Sequence, residues 1–316
     1  MRRVEPVREY FPLGILEVPE PVDAVDLTMA DGAHILVRRH GDPDARVRIF
    51  ASHGNGFAID GYLPFWRPLC ERYDVVVFDM RNHGRNRPSA TPNHDYDHMA
   101  RDMGEIHGAV SERFGAKPTV GAFHSMSGRA AMKDAVEAGW RWDALVLFDP
   151  PDIPPEGHKL FDMMVKFEYR LADWAKSRPA RFSDPSGQEA EYTNGRAASR
   201  WVAGTHGLMA RSILTPAEDG WELRYPGEIE AETYVANIPM NLWPKASEFG
   251  GPVLLVGADP DVERPSPTAT ANKAMAEEGG YDYVAIPGTG HMLQLEKPEA
   301  CVEAMETFLA RHGLAA

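Results

Sequence analysis

The chain has 316 residues and a formal net charge of −14, from 33 Lys+Arg against 47 Asp+Glu. Its 43% hydrophobic and 25% charged residues suit a soluble globular protein and exclude wholesale disorder. The acidic balance argues against sequence-independent nucleic-acid binding and against a polybasic membrane anchor, both of which need clustered Lys and Arg.

From the N-terminus, a basic tip is broken by Glu5, Pro6, Arg8, Glu9 and Pro12, which leaves no apolar stretch long enough for a secretory signal. Residues 24–30 and 34–40 flank the Asp31-Gly32 turn dipeptide and predict an antiparallel hairpin at a sheet edge. Short apolar or β-branched runs follow at 46–52, 74–80, 118–124, 143–149, 252–258 and 281–287. Runs of this kind suit strands buried on both faces of a parallel sheet. Helical patterns lie between them at 98–114, 126–138, 268–278 and 298–312. The alternation implies right-handed βαβ crossovers in an open, mostly parallel, doubly wound α/β sheet. It stops across 151–246, which opens on a Pro-dense stretch and then turns helical and rich in Met, Trp and Tyr. That insertion predicts a mainly helical cap, or lid, over a core formed by 1–150 and 247–316, with a Pro-stiffened hinge that lets it move and select substrate size.

No window reaches about 18 uninterrupted apolar residues, so no membrane-spanning helix is expected. Cys70 and Cys301 stand far apart and in no metal-ligand spacing, which predicts neither a disulfide framework nor a zinc site. A cytoplasmic location follows as the expectation.

Four segments carry chemistry. His124-Ser125-Met126-Ser127-Gly128 lies where a buried run gives way to a small-residue helix. A serine on such a turn is pushed out above the sheet, and the helix N-terminus behind it favours developing negative charge. An ordinary helix N-cap serine is the alternative reading. Ser52-His53-Gly54-Asn55-Gly56-Phe57 follows the run at 46–52, and Asp79-Met80-Arg81-Asn82-His83-Gly84-Arg85-Asn86 follows the run at 74–80. Gly290-His291-Met292-Leu293-Gln294-Leu295-Glu296-Lys297-Pro298 closes the last run and leads into the final helix.

In these segments the chain resembles the α/β-hydrolase superfamily, over roughly 24–149 and 251–312. The elbow departs from the usual G-x-S-x-G, with Phe123 for the first glycine and Ser127 for the last. The resemblance implies a Ser125 nucleophile, a His291 base and an oxyanion hole made by the backbone N–H groups of Asn55 and Met126. It gives the segment from Asp79 to Asn86 a bracing role around the elbow. The acid that holds the histidine is expected after the run at 252–258, which makes Asp261 the preferred candidate, ahead of Asp149 and Asp259.

The expectation is therefore a carboxylic-ester hydrolase, acting through an acyl-enzyme on a small, mostly apolar substrate, with no cofactor and no metal. A carbon–carbon bond hydrolase or another Ser-His acyl-transfer variant is the alternative enzyme. A small-molecule receptor on the same fold is the alternative from outside catalysis. A small-molecule substrate is the partner expected, with neither nucleic acid nor membrane, and a homodimer is compatible with the composition.

Overall fold

The computed structural model describes residues 16–89 and 93–316. Its centre is an eight-stranded sheet in the order β1-β2-β4-β3-β5-β6-β10-β11. The strands are β1 (Asp23–Thr28), β2 (His34–Gly41), β3 (Arg48–Ser52), β4 (Asp74–Phe78), β5 (Thr119–His124), β6 (Ala144–Phe148), β10 (Val253–Ala258) and β11 (Asp282–Ile286). The edge hairpin is antiparallel and β2 meets β4 antiparallel, whereas every pairing from β4 through β11 is parallel. Five of the six apolar runs read as doubly buried strands are so, since β3, β4, β5, β6 and β10 are buried at every residue; the sixth forms β11 at the sheet edge and is only half-buried at four of its five residues. The expected N-terminal break at Glu5 to Pro12 lies outside the described residues.

Helices cover both faces. They are α1 (Tyr96–Phe114), α2 (Met126–Glu137), α7 (Pro267–Gly279), α8 (Leu293–Glu296) and α9 (Pro298–Arg311). Asp95 caps α1 by accepting from the His98 amide, and Ser266 caps α7 from Ala269, each satisfying an otherwise unpaired first-turn N–H. No described helix is long and apolar enough to cross a membrane.

Between β6 and β10 the chain leaves the sheet and folds over the ends of its parallel strands. This segment holds α3 (Phe161–Ser177), α4 (Pro185–Asn194), α5 (Thr205–Ile213) and α6 (Gly227–Asn237). It also holds a three-stranded antiparallel sheet in the order β7-β9-β8, from β7 (Arg181–Phe182), β8 (Leu214–Ala217) and β9 (Gly220–Leu223). The sequence pattern gave only helices here, because strands of two to four residues carry no readable alternation. Its inner side chains Trp201, Leu208, Met209 and Ile213 join the same apolar cluster as Ile49, Trp66 and Leu295 of the core.

Candidate active site

The register of β5 against β6 builds the site. His124 pairs with Phe148, so the residues that follow, Ser125 and Asp149, stand level on adjacent strands. Both take positive φ, 52° at Ser125 and 42° at Asp149, a region costly for a residue with a side chain. The strain is held by packed backbone: the Ser125 amide donates to Phe148 O at 2.9 Å, and the Asp149 amide to Val256 O at 2.8 Å. Ser125 thus sits on a sharp turn between β5 and α2, the geometry that lifts a serine above a sheet.

Phe123, where the family usually has glycine, is accommodated from an unexpected side. Its ring lies across Gly121 on the same face of β5, so closely that a β-carbon there would collide with it. The missing glycine of the elbow is offset by one two residues earlier. Ser127 supplies a small side chain in place of the last glycine, its hydroxyl donating to His124 O at 2.9 Å and accepting the His124 amide at 3.1 Å.

His291 arrives from the loop after β11. Its Nε2 lies 3.1 Å from Ser125 Oγ, and its Nδ1 lies 2.7 Å from Asp149 Oδ2. The carboxylate that meets His291 is therefore Asp149 and not Asp261, contrary to the preference drawn from the sequence. The register gives the reason. Val256 of β10 pairs with Phe148, so Gly257 is level with Asp149 and Asp261 lies four residues beyond that level. There it is exposed, 3.5 Å from Lys273. Asp259 closes a turn instead, accepting from the Asp261 amide at 2.8 Å and the Gly288 amide at 2.6 Å. Asp149 is fully buried and receives three further donors: the Ala258 amide at 3.0 Å, the Thr268 hydroxyl at 2.5 Å and the Asn272 amide at 3.4 Å. An acceptor at Nδ1 fixes the imidazole with its proton there, leaving Nε2 to accept from Ser125.

The backbone N–H groups of Asn55 and Met126 have no acceptor among the described residues. Met126 opens α2, so its amide has no intrahelical partner. Asn55 lies in the loop after β3, and that loop reaches the elbow because Gly54 has no side chain. A β-carbon on Gly54 would stand 3.0 Å from His124 Nδ1 and 3.1 Å from Ser125 Cβ. The Asn55 side chain points elsewhere, donating to Glu230 O on α6 at 2.8 Å. The Asp79 segment braces this loop: its carboxylate accepts the Ile59 amide at 2.7 Å and the Arg85 amide at 3.0 Å. Asn86 donates back to Asp79 O and Met80 O at 2.9 Å each.

The sequence reading missed two positioning residues, Tyr62 and His124. The Gly54 amide donates to the Tyr62 hydroxyl at 3.3 Å, the hydroxyl lies 2.7 Å from His124 Nδ1, and His124 Nε2 lies 2.9 Å from His291 O. A carbonyl only accepts, so Nε2 carries the proton and Nδ1 accepts from Tyr62. The bonds run one way, from the oxyanion loop through the elbow to the base loop. Complete burial holds the His124 imidazole well below its usual pKa, in the neutral form this chain requires. Nothing in the sequence separation of Tyr62 and His124 announces their contact.

Among the described residues no group of three or more His, Cys, Asp or Glu is placed to hold a metal ion. Both cysteines are free thiols.

Residues 49–304 match the model of the alpha/beta hydrolase family, and the chain belongs to that family. Solved structures of the same fold include E-2-(acetamidomethylene)succinate hydrolase, at 18% identity and a TM-score of 0.71, covering 91% of this chain and 99% of that one. A peroxisomal α/β-hydrolase from Saccharomyces cerevisiae aligns at 16% identity and a TM-score of 0.69, covering 94% and 87%. A thermophilic esterase from Thermogutta terrifontis aligns at 16% identity and a TM-score of 0.64, covering 92% and 99%.

Proposed function

We propose that this chain is a serine hydrolase that cleaves a carboxylic ester through an acyl-enzyme. The observation that carries the proposal is the pair of contacts on one imidazole, Ser125 Oγ at 3.1 Å from Nε2 and Asp149 Oδ2 at 2.7 Å from Nδ1. Ser125 Oγ attacks the carbonyl carbon while its proton passes to His291 Nε2, and the Asn55 and Met126 N–H groups receive the oxyanion. Collapse breaks the bond to the leaving alkoxide, which takes the proton from Nε2. Water then repeats the sequence on the acyl-enzyme, giving its proton to His291 and releasing the acid and Ser125. We take the acyl group as mostly apolar, in keeping with the aromatic and Met-containing composition of the cap.

A serine-reactive fluorophosphonate should label the protein at Ser125, and Ser125→Ala should abolish labelling and lower kcat on short 4-nitrophenyl esters by several orders of magnitude with the fold intact. An unlabelled wild type that binds small ligands without turnover would replace the enzyme reading with the receptor one.

A further inference from the structure

Against the outer face of the base loop lies a groove of about 480 Å³, bounded by the cap segment at 196–200, the loop after β10 and residues 288–290. Three arginines line it, Arg196, Arg200 and Arg264, against one carboxylate, Glu263. In a chain with 47 acidic residues against 33 basic ones, three arginines gathered in one groove run against the background. The guanidinium groups of Arg196 and Arg264 make no hydrogen bond or ion pair among the described residues. Arg200 spends Nε and Nη2 on Glu296, at 2.6 and 3.3 Å, leaves Nη1 free, and keeps half of its side chain exposed. Ser266, the N-cap of α7, also lines the groove and adds the positive end of a 13-residue helix.

The groove adjoins the loop that carries His291. Its floor ends at Gly290, one residue before His291, and a β-carbon on Gly290 would collide with the Arg200 guanidinium. The Gly290 amide donates to Glu296 Oε2 at 2.9 Å, so one carboxylate ties this arginine to the base loop.

We propose that this groove is an anion subsite, taking a carboxylate or phosphate group of the substrate whose scissile carbonyl reaches Ser125. The inference rests on the hydrolase reading and adds a substrate class to it: esters or thioesters with an apolar acyl centre and an anionic end. Guanidinium groups with free N–H forks are suited to both oxyanions, which they bind by paired, charge-assisted hydrogen bonds.

Two matched pairs of substrates test it. One sets 4-nitrophenyl hemisuccinate against 4-nitrophenyl butyrate, and the other sets S-acetyl phosphopantetheine against S-acetyl pantetheine. Wild type should favour the anionic member of one pair by about tenfold in kcat/KM, the strength of one or two charge-assisted bonds, and the pair identifies carboxylate or phosphate. The Arg196→Gln/Arg264→Gln double variant should lose that preference while hydrolysing the butyrate ester as wild type does. Rising salt should erode the preference as well, because the groove is open to solvent. Equal rates within both pairs, or a preference that survives in the double variant, would overturn the proposal while leaving the hydrolase reading in place. Titration calorimetry of succinate and of inorganic phosphate on Ser125→Ala reads the subsite without turnover. Binding that the double substitution abolishes supports it, and no binding of either anion overturns it even if no ester is cleaved.

Discussion

At the scale of single residues, the acid makes the sharpest claim. Asp149→Asn removes the acceptor that holds the His291 tautomer and should lower kcat by about 10⁴ near neutral pH. Asp261→Asn disturbs only an exposed contact to Lys273 and should stay within about twofold of wild type. Steady-state kinetics on one activated ester separates them, and the opposite order of losses would return the acid to Asp261. Tyr62→Phe keeps the ring and removes the hydroxyl that joins Gly54 to His124. Loss of these bonds should lower kcat by about tenfold with KM unchanged, since no substrate atom is touched. A rise in KM with constant kcat would instead place the Tyr62 hydroxyl on the substrate.

Between elements, the junction of cap and core runs through a buried polar cluster. Arg129 of α2 donates to Asp152 Oδ1 at 2.7 Å and to Asn237 Oδ1 of α6 at 3.2 Å. Asn237 donates in turn to Glu168 Oε1 of α3 at 2.9 Å and to Pro151 O at 2.8 Å. Burial pushes the Glu168 carboxyl up to about 8 from 4.5, against the weaker opposing pull of Asn237 and Arg129. The folded state therefore binds a proton that the unfolded chain releases above about pH 4.5, so stability is full below that value and declines as pH rises to about 8. Asp152, pushed up to about 7 by burial, adds a decline of the same sign. Glu168→Gln should flatten the fall in Tm between about pH 4.5 and 8, read by calorimetry; an unchanged slope would mean that Glu168 is ionised in the fold. What was legible in the sequence follows the range of the forces involved. The parallel strands, the elbow and the His291 loop were readable because local patterning specifies them. The choice of Asp149 was not, because its donors Thr268, Asn272 and Ala258 lie more than a hundred residues away and are brought there by strand order. The cap's small sheet escaped for the opposite reason, being too short to leave a pattern.

Across the whole molecule, cap and sheet share one apolar cluster and do not form separate cores. Met209 is fully buried and lies against Gly61 just beyond the oxyanion loop, so it belongs to both. Met209→Ala should cost about 2–5 kcal/mol and lower a single cooperative transition seen alike by far- and near-UV circular dichroism. Two separated transitions would show that the cap melts alone. The cap is also tied to the core by Asn55 to Glu230 and by Val202 N to Leu295 O at 2.8 Å. The placement of the acid on β6 has a consequence for how such an enzyme diversifies. On the proposed mechanism the proton-handling groups directly follow β5, β6 and β11, which leaves the stretch from Val262 to Ser266 without a catalytic role. Lineages or libraries can lengthen, shorten or recharge that stretch to change what is recognised, while the triad stays where the sheet holds it.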